Sequence, residues 1–173
     1  MILYALIIFI LLVYFAAVTY CVIRRAVMLR KINKAWSELQ ALILKKAALV
    51  TPLRKICSEH KLINGDLAKT LIPAYKTFTS SKTRRELLHA NKKLSFNMGR
   101  VILTLSQNKQ TAANELFSSI LEQNATFEQS INFLEIFFTE SVDKFHTFTA
   151  SAAYIFTAGF VTKKRSPMDF KLM

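Results

Sequence analysis

No charged side chain occurs before Arg24, and the stretch from Ile2 to Ile23 is mostly apolar. As a helix rising about 1.5 Å per residue, this run is roughly 33 Å long, enough to cross a hydrocarbon core about 30 Å thick. The sequence therefore predicts a membrane anchor over residues 1–23. A cleaved signal peptide is the competing reading, and it requires a basic leading segment, a shorter apolar core and a small-x-small cleavage site. Nothing basic precedes this run, and Thr19, Tyr20, Cys21, Val22 and Ile23 offer no such site, so an uncleaved span is expected. Tyr4 and Tyr20 suit interfacial rings, whereas Tyr14 lies too deep for that role.

Orientation follows from the flanks. Arg24, Arg25, Arg30, Lys31 and Lys34 all lie C-terminal to the run. By the positive-inside rule they place the rest of the chain in the cytoplasm and the N-terminus outside. The same five residues form a membrane-surface basic cluster, drawn to anionic lipid headgroups by on the order of 1 kcal/mol per cation. A second basic cluster, Lys163, Lys164 and Arg165, closes a charge-free stretch from Thr147 to Thr162. That stretch is short for a span, and is expected to fold back onto the bundle or lie at the membrane surface.

The net charge of +13 is unevenly spread. Between Arg24 and Lys109 only Glu38, Glu59, Asp66 and Glu86 offset the many lysines and arginines, whereas Lys144 alone offsets the acidic residues from Glu115 to Asp143. An acidic last helix is thus attracted to basic partners. Nucleic-acid binding is the other reading of the basic surplus, but no helix-turn-helix, zinc ligand set or aromatic-basic sheet motif accompanies it.

With three glycines and three prolines in the whole chain, little punctuates it, and long helices follow. Ile32, Ala35, Trp36, Leu39, Leu42, Ile43, Leu49, Val50, Leu53, Ile56 and Cys57 alternate at three and four, the pattern of a bundle seam. Nothing between Ile23 and Lys31 breaks a helix, so span and first bundle helix are expected to be continuous, with an interruption at Pro52. Asn64, Gly65 and Asp66 predict a turn, and residues 67–77 a short helix. Thr83 and Glu86 have the spacing of a capping box opening a helix with a seam of Leu87, Asn91, Leu94, Met98, Val101 and Leu105. Gly99 costs this helix about 1 kcal/mol unless close packing requires it. The final long helix carries Phe117, Ile120, Asn124, Phe127, Ile131, Leu134, Phe138, Val142 and Phe145, in which Asn124 resembles the polar core residues that set register. The fold class is all-α: an N-terminal transmembrane helix, then an antiparallel, coiled-coil-like four-helix bundle over 24–149, then an apolar segment and basic tail over 150–173.

These residues together resemble the LemA family of bacterial membrane proteins along nearly the whole chain. The likeness rests on Ala35-Trp36, Leu39, Leu44-Lys45-Lys46 and Leu49-Val50, then on Met98-Gly99-Arg100 and the run Ala113, Asn114, Glu115, Phe117, Ile120. It continues through Glu128 with Ile131, Phe138, Val142 and Phe145 to Ala158-Gly159-Phe160. Gln40 and Ala48 stand where the family has aspartates, Pro52 is displaced by one position, and Thr139 and His146 replace asparagines, which marks a divergent member. The resemblance implies an antiparallel bundle on a single span and no established enzymatic activity.

No catalytic set is expected, and no cofactor or metal. Cys57 and His60 share a helix face and could begin a thiol or metal site, but no second ligand pair or partner motif joins them. His89 and His146 are isolated, and Glu135 and Glu140 fall on different sides of a helix. The expected protein is therefore a non-enzymatic scaffold or adaptor at the bacterial inner membrane, with lipid and an unidentified protein as partners and self-association left open. A thiol-dependent enzyme and a nucleic-acid-binding bundle are the alternatives.

Overall fold

The computed structural model describes residues 2–59, 65–157 and 167–169, and among them the fold is helical with no strand. Helix α1 runs Ile2–Ala48, α2 Val50–Glu59, α3 Gly65–Thr79, α4 Arg84–Ser106, α5 Lys109–Ala112, α6 Glu115–Ala150 and α7 Ala152–Thr157, followed by a 3-10 turn at Pro167–Asp169. The apolar N-terminal run and the first seam helix are one element, as the absence of a breaker between Ile23 and Lys31 predicts.

The interruption attributed to Pro52 falls three residues earlier, at Leu49. A helical proline lacks the N–H that would bond the carbonyl four residues back, and its ring collides with that carbonyl. For Pro52 that carbonyl belongs to Ala48, the last residue of α1. Pro52 then occupies the first turn of α2, where a missing N–H costs nothing. Of the turn expected at Asn64-Gly65-Asp66, Gly65 and Asp66 belong to α3 instead, and Asn64 lies outside the described residues. α3 passes through Pro73 and outlasts the expected 67–77 at both ends.

The capping box is formed. The Thr83 hydroxyl accepts from the Glu86 N–H at 3.2 Å, and the Glu86 carboxylate accepts from the Thr83 N–H at 3.3 Å and the Lys82 N–H at 2.7 Å. Those hydrogen bonds, led by the one from Lys82, hold the Glu86 carboxyl below its usual range. A four-residue helix, α5, was not legible from periodicity. Asn108 caps it, accepting from the Gln110 and Thr111 N–H groups. Asn114 then caps α6, accepting from Leu116 at 2.9 Å and Phe117 at 3.2 Å. The Ala113-Asn114-Glu115 run is thus a helix start, with an acidic residue in the first turn.

The chain forms two compact units. One comprises residues 1–36 and 136–167. In it the side chains from Ile2 to Phe15 are exposed, while Ile32, Ala35 and Trp36 are buried along with Phe138, Val142 and Phe145 of α6. The Trp36 and Phe138 rings lie 5.3 Å apart. Ser151 breaks α6 from α7: its backbone N–H bonds Phe148, and its hydroxyl accepts from the Tyr154 N–H. The segment expected to fold back onto the bundle packs instead, over its described part, beside the apolar run of α1. Tyr154 packs on Cys21 and Phe148, and the Thr157 hydroxyl lies 3.3 Å from the Cys21 sulfur. Tyr14, too deep for an interfacial ring, donates its hydroxyl to the Phe156 carbonyl at 3.5 Å. Residues 158–162 lie outside the described residues.

The other unit comprises residues 37–135 and 168–173. Its core takes Leu39 and Ile43 from α1, Val50, Leu53 and Ile56 from α2, and Leu71, Ala74 and Phe78 from α3. All six seam residues expected on α4 are buried, as are Phe117, Ile120 and Ile131 on α6. Phe127 and Asn124 are half-buried. α3 and α4 pack side by side, and an added Cβ on Gly99 meets nothing within 4 Å, so no close approach explains that glycine.

Candidate functional site

The seam on α1 and α2 passes through Leu39, Ile43, Val50, Leu53 and Cys57, and a three-four alternation through these positions requires a core residue at 46. Lys46 occupies it, with a fully buried side chain. Its ammonium is 2.5 Å from a Glu128 carboxylate oxygen and donates to the Ser95 hydroxyl. Burial lowers the Lys46 pKa, and the hydrogen bond and charge of Glu128 oppose that effect. The carboxylate is what makes a lysine tolerable there, because an unpaired buried ammonium would neutralise or force the core open.

Two further buried polar groups flank this pair. One turn before Ser95 on α4 stands Asn91, and one turn before Glu128 on α6 stands Asn124; the Oδ1 of each is buried with no hydrogen-bond partner among the described residues. The long helices of this unit therefore carry polar residues in their seams: Lys46 on α1, Arg84 and Asn91 on α4, and Asn124 on α6. Two turns farther along α6, Lys92 pairs with Glu135 at 2.7 Å. Lys92 meets Glu135, while Lys46 joins Ser95, farther along α4, to Glu128, farther back on α6, so the two helices run antiparallel. This arrangement can fix helix register. It is poorly built for acyl transfer despite the adjacent lysine and serine. Ser95 and Glu128 sit inside unbroken helices whose backbone N–H groups are spent on intrahelical bonds, leaving no donors for an oxyanion.

The five residues of the expected membrane-surface cluster all lie on α1. Arg24, Arg30, Lys31 and Lys34 are exposed and Arg25 is half-buried. At about 100° per residue, Arg30 and Lys34 point away from the face that buries Ile32 and Ala35, with Lys31 and Arg24 at its flank. The cations form a stripe rather than converging on one point. Arg24 is held in place: Nη1 donates to the Tyr20 hydroxyl at 3.0 Å, and its guanidinium lies 5.0 Å from the Phe148 ring centroid. Lys163, Lys164 and Arg165 lie outside the described residues.

Cys57 is buried, and desolvation pushes its thiol pKa up, which opposes formation of a nucleophilic thiolate. His60 lies outside the described residues. Glu140 pairs with Lys144 at 3.5 Å, and His146 meets Phe145 edge-on. His89 lines an open groove of about 590 Å³ with Lys92, Lys93 and Phe96. Among the described residues no three His, Cys, Asp or Glu side chains gather as a metal site would require. A second groove, of about 850 Å³, lies in the unit of residues 1–36 and 136–167, with Arg24 in its wall.

No protein-family model matches the chain, and no curated protein matches it.

Proposed function

We propose that this chain is a single-pass protein of the bacterial cytoplasmic membrane, a divergent relative of the LemA family, whose helical bundle serves as a non-enzymatic scaffold or adaptor facing the cytoplasm. The observation that carries the reading is the uncovered state of α1. The apolar side chains from Ile2 to Phe15 are all exposed, and among the described residues α1 is the one helix long and apolar enough to cross a membrane. In water such a surface drives aggregation; in a bilayer it is already solvated.

Two further observations support the bundle's role. α4 buries its full seam yet presents Phe96 and Leu103, seven residues apart, on its outer face at 67% and 61% exposure. Arg100 lies between them, its guanidinium 6.0 Å from the Phe96 ring. An exposed apolar stripe rimmed by charge suits a partner helix. Cys57, the one nucleophile suggested by the sequence, is buried and held as a thiol. The basic stripe on α1 supplies attraction to an anionic inner leaflet.

Depth in the bilayer follows for the C-terminal helix. α7 packs beside Tyr14 and Cys21, inside the charge-free run, so a spanning α1 carries α7 below headgroup level with Phe156 and Ile155 facing lipid.

The test is topology and binding in one strain. The full chain is expected in the carbonate-resistant membrane fraction, with a cytoplasm-dependent reporter active after Met173 and a periplasm-dependent one silent. Purified protein is expected to float with anionic liposomes and to retain a protein from a membrane lysate. A periplasmic C-terminus overturns the orientation, and failure of both binding assays overturns the scaffold reading.

A further inference from the structure

The 850 Å³ groove changes character along its length. At one end its walls are Ala17 and Cys21 of α1 with Ala153 and Thr157 of α7, a largely apolar slot beside the last turns of the charge-free run. At the other end stand Arg24, Glu140, Asp143 and Lys144. The change falls where α1 leaves its apolar run, the level at which lipid phosphates lie if α1 spans the membrane.

The charges at the polar end are two cations and two anions, and they are not all consumed internally. The Arg24 guanidinium has five N–H donors, of which one goes to the Tyr20 hydroxyl, while the Phe148 ring holds its plane in position. The Lys144–Glu140 contact is long, and both side chains are mostly exposed, so it exchanges readily for a better partner. Asp143 makes no ion pair among the described residues. A site with a bidentate cation at one point and carboxylates beyond it complements a zwitterion rather than a net anion.

We propose that this groove binds a phospholipid with a primary-amine headgroup. The phosphate sits on Arg24, the ammonium lies between Glu140 and Asp143, and the glycerol and first acyl carbons follow the slot past Cys21 to Ala17. A choline headgroup fills similar space but carries no N–H to donate to the carboxylates, and a glycerol headgroup offers no cation to Asp143 beside the phosphate. This selectivity is separate from the attraction of Arg30, Lys31 and Lys34 to anionic lipid, and it rests on the membrane-anchor reading.

The experiment uses the full chain in nanodiscs of phosphatidylethanolamine, phosphatidylglycerol and phosphatidylcholine in equal parts with matched acyl chains. Lipids retained after release are counted by native mass spectrometry. The ethanolamine lipid is expected at about five times the amount of either of the other two, the effect of one good ion pair at a partly exposed site. Glu140→Gln with Asp143→Asn is expected to abolish that preference, Arg24→Gln to reduce retention of all three, and Arg30→Gln with Lys34→Gln to leave the preference intact, with helical content unchanged throughout. Soluble glycerophosphoethanolamine in excess is expected not to displace the lipid. Retention in proportion to composition, a preference surviving in the carboxylate variant, or displacement by the soluble headgroup overturns the lipid site. A chain that stays out of the discs overturns the anchor as well.

Discussion

Replacing Glu128 by Gln leaves the Lys46 ammonium in the core without its counter-charge. Removing one member of a fully buried ion pair costs about 3–5 kcal/mol, because the other charge is left uncompensated. Here the two members differ: Lys46 has no exposure, whereas Glu128 retains 31%. Water screens part of the pair from the Glu128 side and glutamine still offers an acceptor, so a loss of about 2 kcal/mol is expected. Lys46→Met removes the buried charge instead, and Glu128 can turn to water, so the cost should stay under about 1 kcal/mol. The asymmetry also has a pH signature. Burial lowers the folded-state pKa of Lys46 against Glu128's opposition, so between the folded and unfolded pKa values the unfolded chain holds more protons. Stability must therefore rise with pH across that interval. Glu128→Gln removes the opposing influence and extends the interval to lower pH, while Lys46→Met abolishes this contribution. Urea unfolding of the full chain in detergent, followed by helical circular dichroism near neutrality and at about pH 9.5, measures both effects. A Lys46→Met variant less stable than Glu128→Gln would refute the argument.

Gly99→Ala should raise stability by about 1 kcal/mol, since the site is open and helical, and the same unfolding assay reads it. Cys57 should resist alkylation in the folded chain and react on unfolding, and Cys57→Ser should leave membrane targeting and partner retention unchanged; rapid native labelling would contradict the burial. A tryptophan at Phe156, in a Trp36→Phe background, should be quenched by lipids brominated on their acyl chains. Quenching by an aqueous quencher alone would take α7 out of the bilayer.

Much of this architecture is written in side-chain spacing. The α4 seam is buried at every expected position, and Thr83 and Glu86 cap the helix as their separation predicts, because both features depend on local geometry alone. The break at Leu49 was displaced because a proline acts on the carbonyl four residues behind it, so its effect precedes it in sequence. α5 carries too few residues for a period to show, and only the capping chemistry of Asn108 could have marked it. The core lysine was signalled by a gap: the alternation through Ile43 and Val50 demands a seam residue at 46, and a charge there needs a buried counter-charge. Which acidic residue supplies it was not legible, since Glu122, Glu128 and Glu135 recur on the same helix and only packing selects among them. The groove beside Arg24 was equally hidden, because its two walls come from opposite ends of the chain.

That distant origin governs how the protein is made. Trp36 waits for Phe138, about 100 residues later, and at roughly 5–20 residues per second the ribosome needs about 5–20 s to deliver it. Through that interval α1 has left the ribosome with Ile32, Ala35 and Trp36 bare. A nascent chain that stalls before Phe138 keeps this patch uncovered, and so carries a built-in mark by which chaperones and proteases can tell an unfinished copy from a finished one.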